Sequence, residues 1–213
     1  MGGLGDGCGS ARHQRSAYET LKRTIIQNPP KTQQDKLSWM CLYLCLPEEG
    51  VLRAFPTEVA CRSRLAEIRW PNGIICPVCG RGVWQLKSRP IYECGSCGRQ
   101  PSITAGTPLA GTRIAIRTWF RTAELVIEDH AVRHREPYVA GLQRSLQSEG
   151  ISLSRKAVGR MLKILQVDLV PHTTGLLRSS LSVVPEPLIP HIEPDQQLYW
   201  LMDAVHQRWR NLS

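Results

Sequence analysis

The amino-acid sequence predicts an α+β fold: two to three short antiparallel strands among flanking helices, then a wholly helical region, between extended or disordered termini. Three observations point there. Two knuckles of the form Cys-x-x-Cys-Gly, at Cys76, Cys79 and Gly80 and at Cys94, Cys97 and Gly98, enclose a stretch that alternates as strands do. Beyond residue 113 the apolar residues recur with the helical period. After residue 170 a series of prolines (Pro171, Pro185, Pro187, Pro190 and Pro194) interrupts any regular pattern.

Four thiolates offered in two pairs are the donor set of a tetrahedral zinc ion. Each pair comes from one tight turn, and the glycine behind it takes positive φ without steric cost. Cys76, Cys79, Cys94 and Cys97 are therefore the candidate ligands of one structural zinc ion, and the strands make a small zinc ribbon. Residues 83–87 and 90–93 read as two strands, and 100–104 supply a third. So small a sheet buries too little to stand alone. Bound zinc, worth roughly 10–16 kcal/mol in small modules, supplies the difference.

Ahead of the ribbon, Thr57 reads as the N-cap of a helix with Cys61, Leu65 and Ile68 on one face, stopped by Trp70-Pro71. That helix and the ribbon make one unit, residues 55–112. Residues 1–54 read as an unassigned, partly disordered extension, with a weak helix over 17–26 and an apolar, then acidic, run over 37–50. Residues 113–170 are helical. In the first helix, over 114–132, Ile116, Trp119, Phe120, Ala123 and Ile127 form one stripe. Pro137 opens a second helix, with Val139, Leu142 and Leu146 facing inward. Glu149-Gly150 turns the chain, and Ser152 or Ser154 caps a third helix to about residue 166. Its Val158, Met161, Leu162 and Leu165 lie opposite Arg155, Lys156, Arg160 and Lys163. Helix, glycine turn and basic helix make the pattern of a helix-turn-helix. Residues 171–213 read as a proline-rich linker followed by an amphipathic run, 197–209, that fits a strand or a helix.

Lys and Arg number 27 against 18 Asp and Glu, a formal charge of +9, which points to a polyanionic partner. The charge is uneven. From Cys76 to Phe120, Arg81, Lys87, Arg89, Arg99, Arg113 and Arg117 face the single acid Glu93. Arg81, Lys87, Arg99, Arg113 and Arg117, with Arg155, Lys156, Arg160 and Lys163 of the basic helix, are the candidate DNA contacts, suited to phosphates and guanine edges. Of the eight cysteines, Cys8, Cys41, Cys45 and Cys61 show no framework spacing, so a reducing compartment is expected. No signal peptide and no bilayer-length apolar run is visible. The expectation is a cytoplasmic, nucleoid-associated protein whose partner is double-stranded DNA, with no membrane or small-molecule partner and with homo-oligomerisation left open.

The stretch from Phe55 to Phe120 resembles the N-terminal zinc-ribbon domain of bacterial insertion-sequence transposases. The residues that carry the likeness are FPTEVACRSRLAEIRWPNGIICPVCG, then IYECGSCGRQ, SITAGTPL and TRIAIRTWF. The resemblance implies a structural zinc ribbon that helps to recognise element-end DNA. One departure is Pro101, where that family has an aromatic residue; proline cannot donate to a ladder, so the third strand should be short or at an edge.

The run LQSEGISLSRKAVGRMLKILQVDL is similar to the helix-turn-helix that precedes the nuclease domain of transposases with an acidic triad. There, a Pro-x-Gln…Trp-x-x-Asp segment carries the first of three acids that bind two metals. Pro194-Asp195-Gln196 and Trp200-Leu201-Met202-Asp203 echo it, so the resemblance makes Asp203 a remnant first acid. Ten residues follow Asp203, too few for the other acids that two-metal chemistry needs. The expectation is a truncated, transposase-derived DNA-binding protein and not an enzyme. Two other readings stay open: a metal-dependent recombinase or nuclease with unrecognised residues, and a ribbon adaptor that binds protein through Trp84 and Tyr92. His130 and His134, one helical turn apart near Glu128 and Asp129, have the spacing of a metal pair. They lack the Glu that follows the first His of a zinc protease and read as a polar helix face.

Overall fold

The computed structural model describes residues 33–76, 78–86, 91–170 and 175–212. The helix expected over 17–26 lies outside them, as do Lys87 and Arg89. In chain order come helices α1 (Gln33–Leu44), α2 (Val51–Ala54) and α3 (Glu58–Arg69), and strands β1 (Ile74–Ile75), β2 (Gly82–Gln85) and β3 (Tyr92–Cys94). Helices α4 (Ile116–Ala131), α5 (Val139–Ser148), α6 (Arg155–Asp168), α7 (Leu176–Leu181) and α8 (Pro194–Leu212) follow.

Helix α4 is the axis of the fold. The expected stripe of Ile116, Trp119, Phe120, Ala123 and Ile127 is buried, but so are Thr122, Glu124, Leu125, Val126, Glu128 and Asp129. A helix buried all round needs neighbours on every side, and α1, α2, α3, α5, α6 and α7 supply them. Its N-terminus carries no cap of its own. Glu58, from the first turn of α3, instead accepts the N–H groups of Ile116 and Arg117 at 3.0 and 2.9 Å. A carboxylate there satisfies two orphan donors and complements the helix dipole.

Residues 33–54, expected as part of an extension, and 194–212, expected as the end of a proline-rich linker and the truncated start of a nuclease-like domain, pack into this same core. Helix α1 buries Met40, Leu42 and Tyr43, and α8 lays Leu198, Leu201, Met202 and Val205 against it. Arg208 of α8 donates to the carbonyl oxygens of Leu44, Leu46 and Pro47 and lies 5.1 Å from the Tyr43 ring centroid. The cation thus closes the C-terminal end of α1, where unpaired carbonyls collect. The amphipathic run 197–209 is helix, not strand. Helix α7 interrupts the expected linker: Asp168 accepts the N–H groups of Leu176, Leu177 and Arg178. The chain passes so close there that any side chain at Gly175 would strike the Asp168 carbonyl.

The sheet has the order β1-β2-β3, antiparallel throughout, with Ile74 opposite Val83 and Trp84 opposite Glu93. Its third strand is therefore 74–75, ahead of the first knuckle, and not 100–104. Pro101 has no N–H to give a ladder, and the guanidinium of Arg69 takes the carbonyls of Ser102 and Ala105 that a strand would have used. The Trp70 and Tyr92 rings meet edge to face at 5.7 Å and join the ribbon to α3.

Helices α5 and α6 are joined by a turn in which Gly150 has φ +79°. Thr57 caps α3 and Ser154 caps α6 through bonds from Ala60 N–H and Ala157 N–H at 3.1 and 3.2 Å. Ser154, not Ser152, is thus the cap. Pro137 lies two residues before α5 and outside it, with Tyr138 at the N-cap.

Candidate metal centre and nucleic-acid interface

The two knuckles are built alike. Gly80 N–H bonds to Cys76 O at 2.9 Å and Gly98 N–H to Cys94 O at 2.8 Å; Cys76 N–H returns to Arg81 O and Cys94 N–H to Arg99 O, both at 2.8 Å. Each glycine has φ +69°, the conformation that a side chain would resist. These bonds aim all four sulfurs at one point. Sγ of Cys76 lies 3.6 Å from that of Cys97, Sγ of Cys79 lies 3.4 Å from that of Cys94, and all four fall within 4.8 Å of one another. Zn–S bonds of about 2.3 Å in a tetrahedron set sulfurs about 3.8 Å apart, so the cage has the right size.

The electrostatics agree with thiolate ligation. The N–H groups of Val78 and Cys79 hold the Cys76 thiol down to about 6, and those of Cys97 and Ser96 lower Cys94. Cys79 and Cys97 shift upward despite N–H bonds from Arg81 and Arg99, because each faces a sulfur that already carries the negative charge. A metal ion removes that conflict by stabilising all four thiolates together. The group fits one structural zinc ion. By contrast, burial raises Cys41 and Cys61 to about 11 and also raises Cys45, which leaves them inert core thiols.

The candidate DNA contacts divide. Arg155, Lys156, Arg160 and Lys163 all stand exposed on α6, whose opposite side buries Val158, Met161, Leu162 and Leu165. Arg81, Arg99 and Arg113 are exposed, and Lys87 lies outside the described residues. Arg117 departs from the expectation: it is half-buried at the start of α4, with its Nε sealed from solvent.

The histidine constellation is taken apart by the fold. Helix α4 ends at Ala131, and His134 follows at φ +50°, so the two imidazoles do not share a helical face. His130 stacks on Trp39 with centroids 4.1 Å apart. The carboxylates beside them are held by arginines: Arg133 bonds to Glu128 and Asp129 at 2.9 Å each, and Arg135 to Asp129 at 2.9 Å. Arg121 joins this network, reaching Glu124 at 2.7 Å and clasping both oxygens of Glu149 through its Nε. That clasp ties the turn between α5 and α6 to the central helix. Sequence reasoning missed it, since its members lie up to 28 residues apart. Asp203 stands on the exposed side of α8, on a helix and not on a strand.

Comparison with known proteins bears on the segment that holds the sulfurs. Residues 56–100 match the family described as transposase zinc-ribbon domain. The chain carries a transposase zinc ribbon. A protein of transposable element ISH50 from Halobacterium salinarum is 32% identical over 73 residues. That match covers 32% of this chain and 25% of the ISH50 protein, so the chain spans about a quarter of that relative's length. No solved structure matches the chain. Among the described residues, no helix is long and apolar enough to cross a membrane. The transposase zinc ribbon therefore accounts for the knuckles, the leading helix α3 and the Arg-Trp-Pro junction, and the helices from α4 onward stand outside the match.

Proposed function

We propose that this chain is a transposase-derived DNA-binding protein of an insertion element, which recognises the element's double-stranded ends through its zinc ribbon and the α5–α6 pair acting as a helix-turn-helix. The observation that carries the reading is the sidedness of α6, with four exposed cations opposite four buried apolar residues. A helix so divided can lie in the major groove while its inner face stays packed. Arginines on the ribbon would set register on phosphates, and α6 would read base edges.

The chain, on this reading, binds without cutting. The buried carboxylates Glu124, Glu128 and Asp129 are held in ion pairs with arginines, and Asp203 lies on a different helix from all of them. Nothing in that placement favours two metal ions poised for phosphoryl transfer. Cleavage or strand transfer by the purified chain with magnesium or manganese would overturn this part of the reading.

Binding itself is tested by salt. With about four phosphate contacts, log K should fall against log salt with a slope of roughly −4. Arg160→Ala should weaken binding and, if Arg160 holds a phosphate, reduce the slope by about 1. Affinity that stays flat from low to physiological salt would sink the proposal.

A further inference from the structure

The outer face of the ribbon sheet presents an aromatic side chain that duplex recognition by α6 leaves unused. By register Ile75, Gly82, Trp84 and Glu93 share one face, and Ile74 and Val83 on the other pack against the core. Trp84 is 56% exposed, high for the largest apolar side chain. It is not loose. Its six-membered ring is seated on Gly95 of the second knuckle so closely that any side chain there would collide with it. The knuckle that holds the metal therefore also holds the indole.

The surroundings select the occupant. Arg81 and Arg99 are exposed, and each directly follows a knuckle glycine, where its carbonyl is fixed by a cysteine N–H. Glu93 stands directly across from Trp84, bonded to Gln100 Nε2 at 2.9 Å. A carboxylate beside the ring repels a phosphate but tolerates a neutral base. Among the described strand residues the apolar part of this face is Ile75 and Trp84, far short of the roughly 800 Å² per partner of a stable protein interface. Base faces in a paired duplex are covered by their neighbours, so an indole meets one only where the stack is open.

We propose that Trp84 is a stacking platform for an unpaired base at a DNA end, with Arg81 and Arg99 on the flanking phosphates. The proposal rests on the DNA-binding reading above and adds the substrate class: duplex with a frayed or single-stranded end.

The test compares three DNAs with the full chain: a blunt duplex, the same duplex with a short single-stranded overhang, and that overhang with its bases removed. The base-bearing overhang should bind about tenfold more tightly than blunt DNA, and the abasic one should lose that gain while keeping its phosphates. Trp84→Phe should retain most of the preference, and Trp84→Leu, which still covers Gly95, should abolish it at unchanged zinc content. If the leucine variant loses zinc, the abasic comparison on the unaltered chain decides alone. An abasic overhang that binds as tightly as the base-bearing one overturns the platform, as does a zinc-loaded Trp84→Leu that keeps the preference. Blunt-duplex binding with no preference overturns the platform but spares the function proposed above. Failure to bind any of the three overturns both.

Discussion

The ribbon and the helical core of this chain are held together by different physics. The core encloses Phe120, Ile127, Leu142, Leu146, Val158 and Leu165 at 1% exposure or less, so its order comes from apolar burial and close packing. The ribbon has three strands of two to four residues and leaves Ile75, Val78 and Trp84 at the surface. Its order comes from four sulfurs and two glycine turns. The seam between them is made by Ile74 and Val83 on the inner face of the sheet, by Trp70 against Tyr92, and by Arg69 reaching the loop at Ser102 and Ala105. The difference teaches that a metal-stapled element can rest one face on a packed body and still depend on its own ligands for its fold.

The strongest way to break this contrast is to take away the metal. A chelator at neutral pH should strip zinc and cost the ribbon the roughly 10–16 kcal/mol that structural zinc contributes. Amide exchange over 74–99 should rise towards the unfolded rate, while the helical circular dichroism stays. Collapse of the helical signal along with the zinc would show that the two regions are one cooperative unit. The reciprocal experiment is Phe120→Ala. Phe120 is fully buried and meets Phe55 edge to face at 5.4 Å, so its truncation should cost about 3–5 kcal/mol in denaturant unfolding. Zinc stoichiometry of the folded fraction should stay at one. A variant that keeps full stability would mean the central helix is not the axis described.

The same contrast explains what the sequence made legible. The ribbon could be read because its determinants are local: ligands, knuckle glycines, the Thr57 cap and the Trp70 stop lie within a few residues of the turns they specify. The α5–α6 pair was legible for the same reason, from Gly150 and the split of α6 into apolar and basic sides. What escaped were contacts across long separations. Glu58 caps α4 from 58 and 59 residues away, and Arg208 closes α1 from 161 to 164 residues away. No periodicity announces such partners. Helix α1 was illegible for a further reason: residues 37–44 are apolar at nearly every position, so no polar face sets off the i, i+3, i+4 stripe by which helices are recognised. The third strand was misplaced to 100–104 because the competing demand of Arg69 on that loop is visible only in the fold.

Acid offers a subtler way to sharpen the comparison, because both regions should weaken as pH falls, for unlike reasons. The ribbon weakens as protons compete with zinc for thiolates. The core weakens through His134, whose imidazole is pushed down from 6.5 to about 4 by burial and then by the charge of Lys36. Above pH 6.5 that imidazole is neutral in the folded and unfolded chains alike and has no effect on their balance. Between 6.5 and 4 the unfolded chain takes up a proton that the folded chain refuses, so stability falls with pH and the loss is complete below about 4. The full drop corresponds to at most about 3 kcal/mol. His134→Asn removes the titration and suits the local backbone, since asparagine tolerates the positive φ of 50° found there. The variant should flatten the denaturant-stability profile of the core between pH 6.5 and 4 and leave the pH of zinc release unmoved. A profile as steep as that of the unaltered chain would remove His134 from the account. A shift in zinc release would show instead that the seam transmits strain from the core to the metal.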